Sequence, residues 1–306
     1  MKRVWGFACV VLAAVAFPRP GLCGGAWVPA PGTGDVQLGF SQKTANTSWD
    51  ASGNSFHNLT TFEGERVGHH HDFRYSYLSG ELGLFRRLSA TFLVTYLYGL
   101  EGPLADLEKN TGMSDAWFGL KYSLRQESVP MALAFTYRTP YFYDLGGPYS
   151  RYLYNNQGEI RDVSPEWRGL LKHDYTLSYL VSTSFREGRG WANFQAGYTW
   201  REGAPADETP VLAEVGYPLP FWNSAVKVSA VYVRSRGNDS PREPDDRFGS
   251  SATFNFNDAS MARAGVGFIL PLGRTGTTVE VGYNQWLWGR SARQYDEPYL
   301  SLGYRF

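Results

Sequence analysis

YLSLGYRF, Tyr299 to Phe306, closes the chain. Apolar or aromatic residues fall at Leu300, Leu302, Tyr304 and Phe306, with Ser301, Gly303 and Arg305 between them. Period-two alternation predicts a strand with one face in an apolar medium and the other in a polar one. In hydrocarbon every backbone N–H and C=O must be paired, so an open sheet edge is not tolerated. A strand of this kind at the end of the chain predicts closure onto the first strand of a barrel. Phe306 is then expected at a membrane–water boundary, ring toward lipid and carboxylate toward water.

The same period recurs upstream. Val36, Leu38 and Phe40 form one apolar face. Phe73, Tyr75 and Tyr77 form the next, continued after an expected bulge at Ser79 and Gly80 by Leu82 and Leu84. Further faces run over Leu88–Tyr98, Ala116–Leu124, Met131–Tyr137, Tyr175–Phe185, Ala192–Trp200, Val211–Tyr217, Val226–Tyr232, Ala264–Leu270 and Thr277–Tyr283. With the terminal strand this makes about 12, an even number as bacterial barrels require. Connections alternate as well. Long stretches at Thr44–His69, Leu100–Thr111, Thr139–Gly169 and Arg234–Ser260, and moderate ones at Arg201–Glu208 and Gly289–Glu297, interleave with short turns. Short periplasmic turns and long extracellular loops are the pattern of an outer-membrane barrel.

Composition agrees. The 306 residues carry 29 Lys+Arg and 29 Asp+Glu, so no basic excess exists to neutralise phosphates, and nucleic acid is not an expected partner. Mean hydropathy is −0.34, which excludes a helical membrane protein. Aromatics make up 16% and glycines number 34, a balance suited to pleated, half-apolar strands. Lys2, Arg3 and the apolar run Val4–Phe17 predict a secretory leader, cleaved between Cys23 and Ala26, so that residues 1–24 are lost and 25–306 form the barrel. The only cysteines, Cys9 and Cys23, lie in or beside that leader, which leaves the exported part without disulfides. A soluble β-sandwich also alternates, but its faces need a partner sheet and do not end in Tyr or Trp girdles. The fold class expected is therefore all-β: a single closed antiparallel transmembrane barrel in the bacterial outer membrane.

If the apolar faces meet lipid, their neighbours face the lumen. Arg74, Glu81, Asp115, Lys121, Arg138, Glu214, Lys227, Arg263, Glu280 and Arg305 are the lumen charges so nominated. They either brace the interior as paired charges or set the selectivity of a pore. The loop Thr139–Gly169 is the candidate plug or lid, with Tyr141, Tyr143, Tyr149, Tyr152 and Tyr154 at the mouth, alongside Phe142. The run His69–His71 is read as a hydrated loop end rather than a metal site, because consecutive strand residues point to opposite faces. No residue pattern calls for a cofactor. His173 with Ser178 or Ser182 is the sole candidate for hydrolytic chemistry, and no nucleophile motif accompanies it, so an enzyme is not expected.

Asn110–Gln126 followed by RTPYF resembles a recurring block in a family of outer-membrane transporters associated with the meta-cleavage pathway of phenol degradation. Asp115, Gly119, Lys121 and Tyr122 match that block, and Ser114 stands where it has glycine. Tyr77–Phe92 is similar to the family's turn block, with Leu82 in place of an aromatic. The opening Gly25–Ser41 and the ending from Trp286 resemble the XagA-like barrels linked to surface polysaccharide. A final aromatic strand, here Leu302, Tyr304 and Phe306, resembles the signal that outer-membrane assembly machinery reads. These motifs are turns and strand ends and bear on fold more than substrate; the function expected is a porin-like channel or transporter for passive uptake of a small solute, a hydrophobic or aromatic one being the class in view. A structural or exopolysaccharide-export protein without channel activity is the first alternative, and a lipid-modifying barrel enzyme the second.

Overall fold

The computed structural model describes residues 25–306 except 51, 58, 63–64, 104–107, 140–151, 155–159, 164–172, 202–205, 238–258 and 274. In chain order the strands are β1 (Gly34–Trp49), β2 (Ser55–His57), β3 (Leu59–Phe62), β4 (Glu65–Phe85), β5 (Leu88–Pro103), β6 (Glu108–Arg125), β7 (Met131–Thr139) and β8 (Tyr152–Tyr154). They continue as β9 (Ile160–Val163), β10 (Asp174–Phe185), β11 (Gly190–Arg201), β12 (Glu208–Pro218), β13 (Ala225–Ser235), β14 (Ser260–Leu272), β15 (Thr277–Arg290) and β16 (Ala292–Arg305). Among the described residues there is no helix.

Twelve of these strands close into one antiparallel barrel. β1 pairs with β4 on one side and with β16 on the other, Val36 lying opposite Gly80 and Tyr304. Closure is completed past the last ladder, where the Gly34 N–H donates to the Phe306 carbonyl and the Phe306 N–H to the Gly34 carbonyl, both at 3.0 Å. The short β2, β3 and the β8–β9 hairpin lie outside that ring of twelve.

The outer wall is apolar and exposed. Leu38, Leu78, Leu120, Phe135, Leu177, Phe194, Val228, Val266, Val281 and Leu300 form its middle band. Tyr122, Tyr217, Trp222 and Tyr304 ring the short-turn end, and Tyr175, Trp200 and Tyr232 the long-loop end. Aromatics at both interfaces around an apolar belt are the outer surface of a membrane barrel, and this is a bacterial outer-membrane protein.

Four expectations need correction. The wall rises above the belt where loops were expected: β1 runs to Trp49, β4 starts at Glu65, and β15 and β16 are joined through Ser291 alone, at φ 47°. The segment Gly289–Glu297 is therefore hairpin, not loop. His71 belongs to β4, opposite Ala45, fully buried and stacked on Phe73 at 6.2 Å, so it is no hydrated loop end. The third correction is one of register. Pairing of β4 runs without interruption from His71 to Leu82 against β1, and through Gly83 against β5, so no bulge exists at Ser79 and Gly80. Period two then carries Leu82, Gly80 and Leu78 on to Ser76 and Arg74 on the lipid side, and Phe73, Tyr75 and Tyr77 face the lumen. The fourth follows from it. Arg74 is not a lumen charge; it stands on the outer face, held by Asp72 Oδ2 at 3.0 Å and lying 5.7 Å from the ring of Tyr98.

Candidate functional site: the lumen

The inward faces carry three kinds of side chain. The first is aromatic. Tyr77 lies opposite Gly39, Trp191 opposite Gly216 and Tyr299 opposite Gly282. In each pair the ring lies where the glycine's side chain would be: an added Cβ would come within 2.0 Å of the Tyr77 ring, 2.1 Å of Trp191 and 2.4 Å of Tyr299. Glycine is therefore required for the ring to lie flat on the wall. Phe73, Tyr75, Leu97 and Trp286 extend this lining toward the long-loop end.

The second is charge, gathered in four groups. Near the short turns, Lys121 Nζ meets Glu81 Oε2 at 2.7 Å, and Ser89 donates to Glu81 Oε1 at 2.5 Å. Asp35 and Arg305 are register partners beside them. On the neighbouring wall Lys227 Nζ lies 2.5 Å from Glu280 and 3.8 Å from Glu214, while Tyr299 donates to Glu280 at 2.7 Å and Trp191 Nε1 to Glu214 at 2.9 Å. At the extracellular end Arg138 Nε donates to Asp115 at 2.7 Å and Nη1 to Asp174 at 3.0 Å. Arg201 joins Asp174 at 3.4 Å and Glu208 at 2.7 Å. The fourth group lies on β1, β14, β15 and β16: Glu297 takes Arg263 at 3.1 Å, Lys43 at 3.7 Å and the Asn284 amide at 3.1 Å. Buried charges must be paired to be tolerated, and each group supplies partners.

The third is the segment Gly25–Thr33, which precedes β1 and enters the barrel from the short-turn end. It starts from hydrogen bonds that join Gly32 and Thr33 to Gly83, each at 2.9 Å. It then crosses to the opposite wall. The Ala26 N–H donates to Ser182 Oγ at 2.7 Å, and Lys121 Nζ donates to the Gly25 carbonyl at 2.9 Å. Ala26 is fully buried against Ala132 and Leu180, and Trp27 packs on Trp191, Ala225 and Ile269. Gly25 fits between Ser182 and Asn193, where a Cβ would lie 2.2 Å from Asn193 Oδ1.

Three sets of nominated residues fall elsewhere. Tyr141, Tyr143 and Tyr149 lie outside the described residues, and Tyr152 and Tyr154 are described only as strand β8. His173 Nδ1 lies 2.6 Å from the Tyr137 hydroxyl, and the two rings stack at 5.7 Å. Ser178 accepts from Gln195, and Ser182 donates to Asn193, so neither serine is coupled to that histidine by these contacts. Leu302 and Tyr304 face outward, with Tyr304 and Phe306 stacked at 6.4 Å.

Sequence reading missed the plug segment and the Lys43–Glu297 group. Trp27 and Val28, apolar between glycines and prolines, were the available signal for the first. Extending the inward set Gln37, Gly39 and Ser41 by one more step reaches Lys43. Glu297 was hidden by the reading of Gly289–Glu297 as loop.

No protein-family model matches the chain, and no curated protein does. Among solved structures, the chain is similar to the COG4313 outer membrane channel from Pseudomonas putida F1, with a TM-score of 0.63, 10% identity and coverage of 93% of this chain and 99% of that one. The translocator domain of autotransporter NalP from Neisseria meningitidis gives 0.45 at 11% identity, over 99% and 95% of the two chains. The first likeness agrees with the barrel described above and bears on the fold alone.

Proposed function

We propose that this protein is an outer-membrane channel for passive uptake of a small hydrophobic or aromatic solute, closed on its periplasmic side by Gly25–Thr33. The aromatic inner wall carries the reading. A solid core interlocks side chains across its centre. Here Tyr77, Trp191 and Tyr299 are held flat over glycines instead, so they cover the wall without filling the bore. The fold-level likeness to a protein described as an outer membrane channel supports the same reading.

The proposal includes loss of residues 1–24, which sets the plug segment at the start of the mature chain. Tyr141, Tyr143, Tyr149, Tyr152 and Tyr154 serve as mouth contacts. Leu302, Tyr304 and Phe306 are the strand that the assembly machinery reads before the barrel settles in lipid.

Single-channel conductance in a planar bilayer tests the reading, on the protein refolded without residues 1–24 and again without residues 1–32. Small or infrequent ion steps are expected from the first and larger, stable steps from the second. Equal steps from both overturn the plug. Silence from both overturns the channel.

A further inference from the structure

The charge groups of the lumen differ in how their cations are paired. Lys121 and Arg305 face Glu81 and Asp35, two cations for two carboxylates. Lys227 faces Glu214 and Glu280, and Arg138 with Arg201 faces Asp115, Asp174 and Glu208. In the group on β1 and β14–β16, two cations, Lys43 and Arg263, share the carboxylate of Glu297. That carboxylate is buried, with its side chain 8% exposed, whereas Lys43 and Arg263 keep 26% and 29% of theirs open.

The two cations flank one indole. Lys43 Nζ lies 5.5 Å from the Trp286 ring and 4.7 Å from the Tyr75 ring, and Arg263 Cζ lies 5.3 Å from Trp286. Trp286 itself is fixed by Trp49, Met261 and Tyr295. An ammonium whose nearest carboxylate is 3.7 Å away keeps donors free for a second anion, and the aromatic faces beside it offer an apolar seat.

We propose that Lys43 and Arg263, over Trp286 and Tyr75, form a docking site for the carboxylate of an aromatic or hydrophobic acid. The site rests on the channel reading and names its solute class: an amphiphilic monoanion whose ring or chain lies on the aromatics while its carboxylate meets the cation pair. The acid is retained here, above the plug, before release.

Isothermal titration of the protein in nanodiscs, with empty nanodiscs as reference, tests the site with 2-naphthoate and the neutral 2-naphthalenemethanol. The expected result is a preference of about tenfold or more for the acid, the scale of one hydrogen bond to a charged group. Lys43→Gln is expected to bring the acid down to the alcohol's affinity, and Lys43→Arg to keep the preference. Folding of each variant is checked by heat-modifiable migration on gels, and Arg263→Gln replaces Lys43→Gln if that variant fails. No preference in the wild type, or a preference that survives in the neutralised variants, overturns the proposal. The same preparations are tested for conductance. A barrel that conducts without preferring the acid keeps the channel and rejects the docking site. One that prefers the acid but stays silent even without residues 25–32 keeps the site and rejects the channel.

Discussion

The two ends of the lumen use the same ion-pair chemistry under different solvation. At the periplasmic end the Lys121 and Glu81 side chains are 3% and 8% exposed, and the lysine also holds the Gly25 carbonyl of the plug. At the extracellular end Arg263 pairs with an equally buried Glu297 but stays 29% exposed itself. A charge taken from water on both sides of the pair is costly to leave alone, whereas one that reaches water is readily resolvated. The first arrangement therefore fixes structure, and the second leaves a cation available to a ligand.

The largest effect is expected where that difference is greatest. Lys121→Met strands the Glu81 carboxylate and releases the Gly25 carbonyl, and is expected to cost about 3–5 kcal/mol. Arg263→Met leaves Glu297 with Lys43 and Asn284 and is expected to cost less than about 1 kcal/mol. Urea unfolding of the barrel in lipid vesicles measures both. Similar losses at the two ends would break the comparison. The double variant Lys121→Met with Glu81→Leu sharpens it, because removing both charges should recover most of the loss.

Next in size is a test of the aromatic wall. Gly216→Val drives a side chain into the Trp191 ring, which cannot yield without losing its bond to Glu214 and its packing on Trp27. Overpacking of this kind costs about 1–3 kcal/mol. Because Trp27 belongs to the plug, the variant should also raise ion conductance. Lost stability at unchanged conductance would separate the wall from the plug.

The sequence showed the barrel plainly because a lipid-facing surface forces period two on every strand. The terminal Leu300, Leu302, Tyr304 and Phe306 and the faces on β5 to β7 could be read directly. β4 could not, and the reason is physical. Its aromatic residues Phe73, Tyr75 and Tyr77 line the lumen while Arg74 and Ser76 stand on the lipid face, so the face that looks apolar is the inner one, and a bulge at Ser79 and Gly80 is the wrong way to join it to Leu82. Alternation identifies a face only when the two media differ, and a lumen lined with rings removes that difference. The plug escaped for another reason: Gly25–Thr33 has no period, and only its contacts with Ser182, Lys121 and Gly83 reveal its place. The charge clusters join strands far apart in the chain, as Lys43 with Glu297 shows, so single positions were nominated but not their partners.

The smallest expected effect lies beyond the membrane, where a charge stays in water throughout. Asp50 sits in the turn between β1 and β2, and its Oδ1 accepts the N–H groups of Ser52 and Asn54, both at 2.8 Å. Its slight burial raises the carboxyl's affinity for protons, but the hydrogen bonds from Asn54, Ser52 and Gly53 together hold it below the ordinary aspartate range. A depressed folded-state value contributes stability that is present above the unfolded value, near 4, and is lost as pH falls through the folded one. Asp50→Ala is therefore expected to lower the thermal midpoint slightly at neutral pH, by less than about 1 kcal/mol in stability. The gap to wild type should close as pH falls below the carboxylate range. A gap that persists in acid would mean that the turn depends on side-chain shape rather than charge, and a gap as large as that of Lys121→Met would mean that solvation does not set the scale of these interactions.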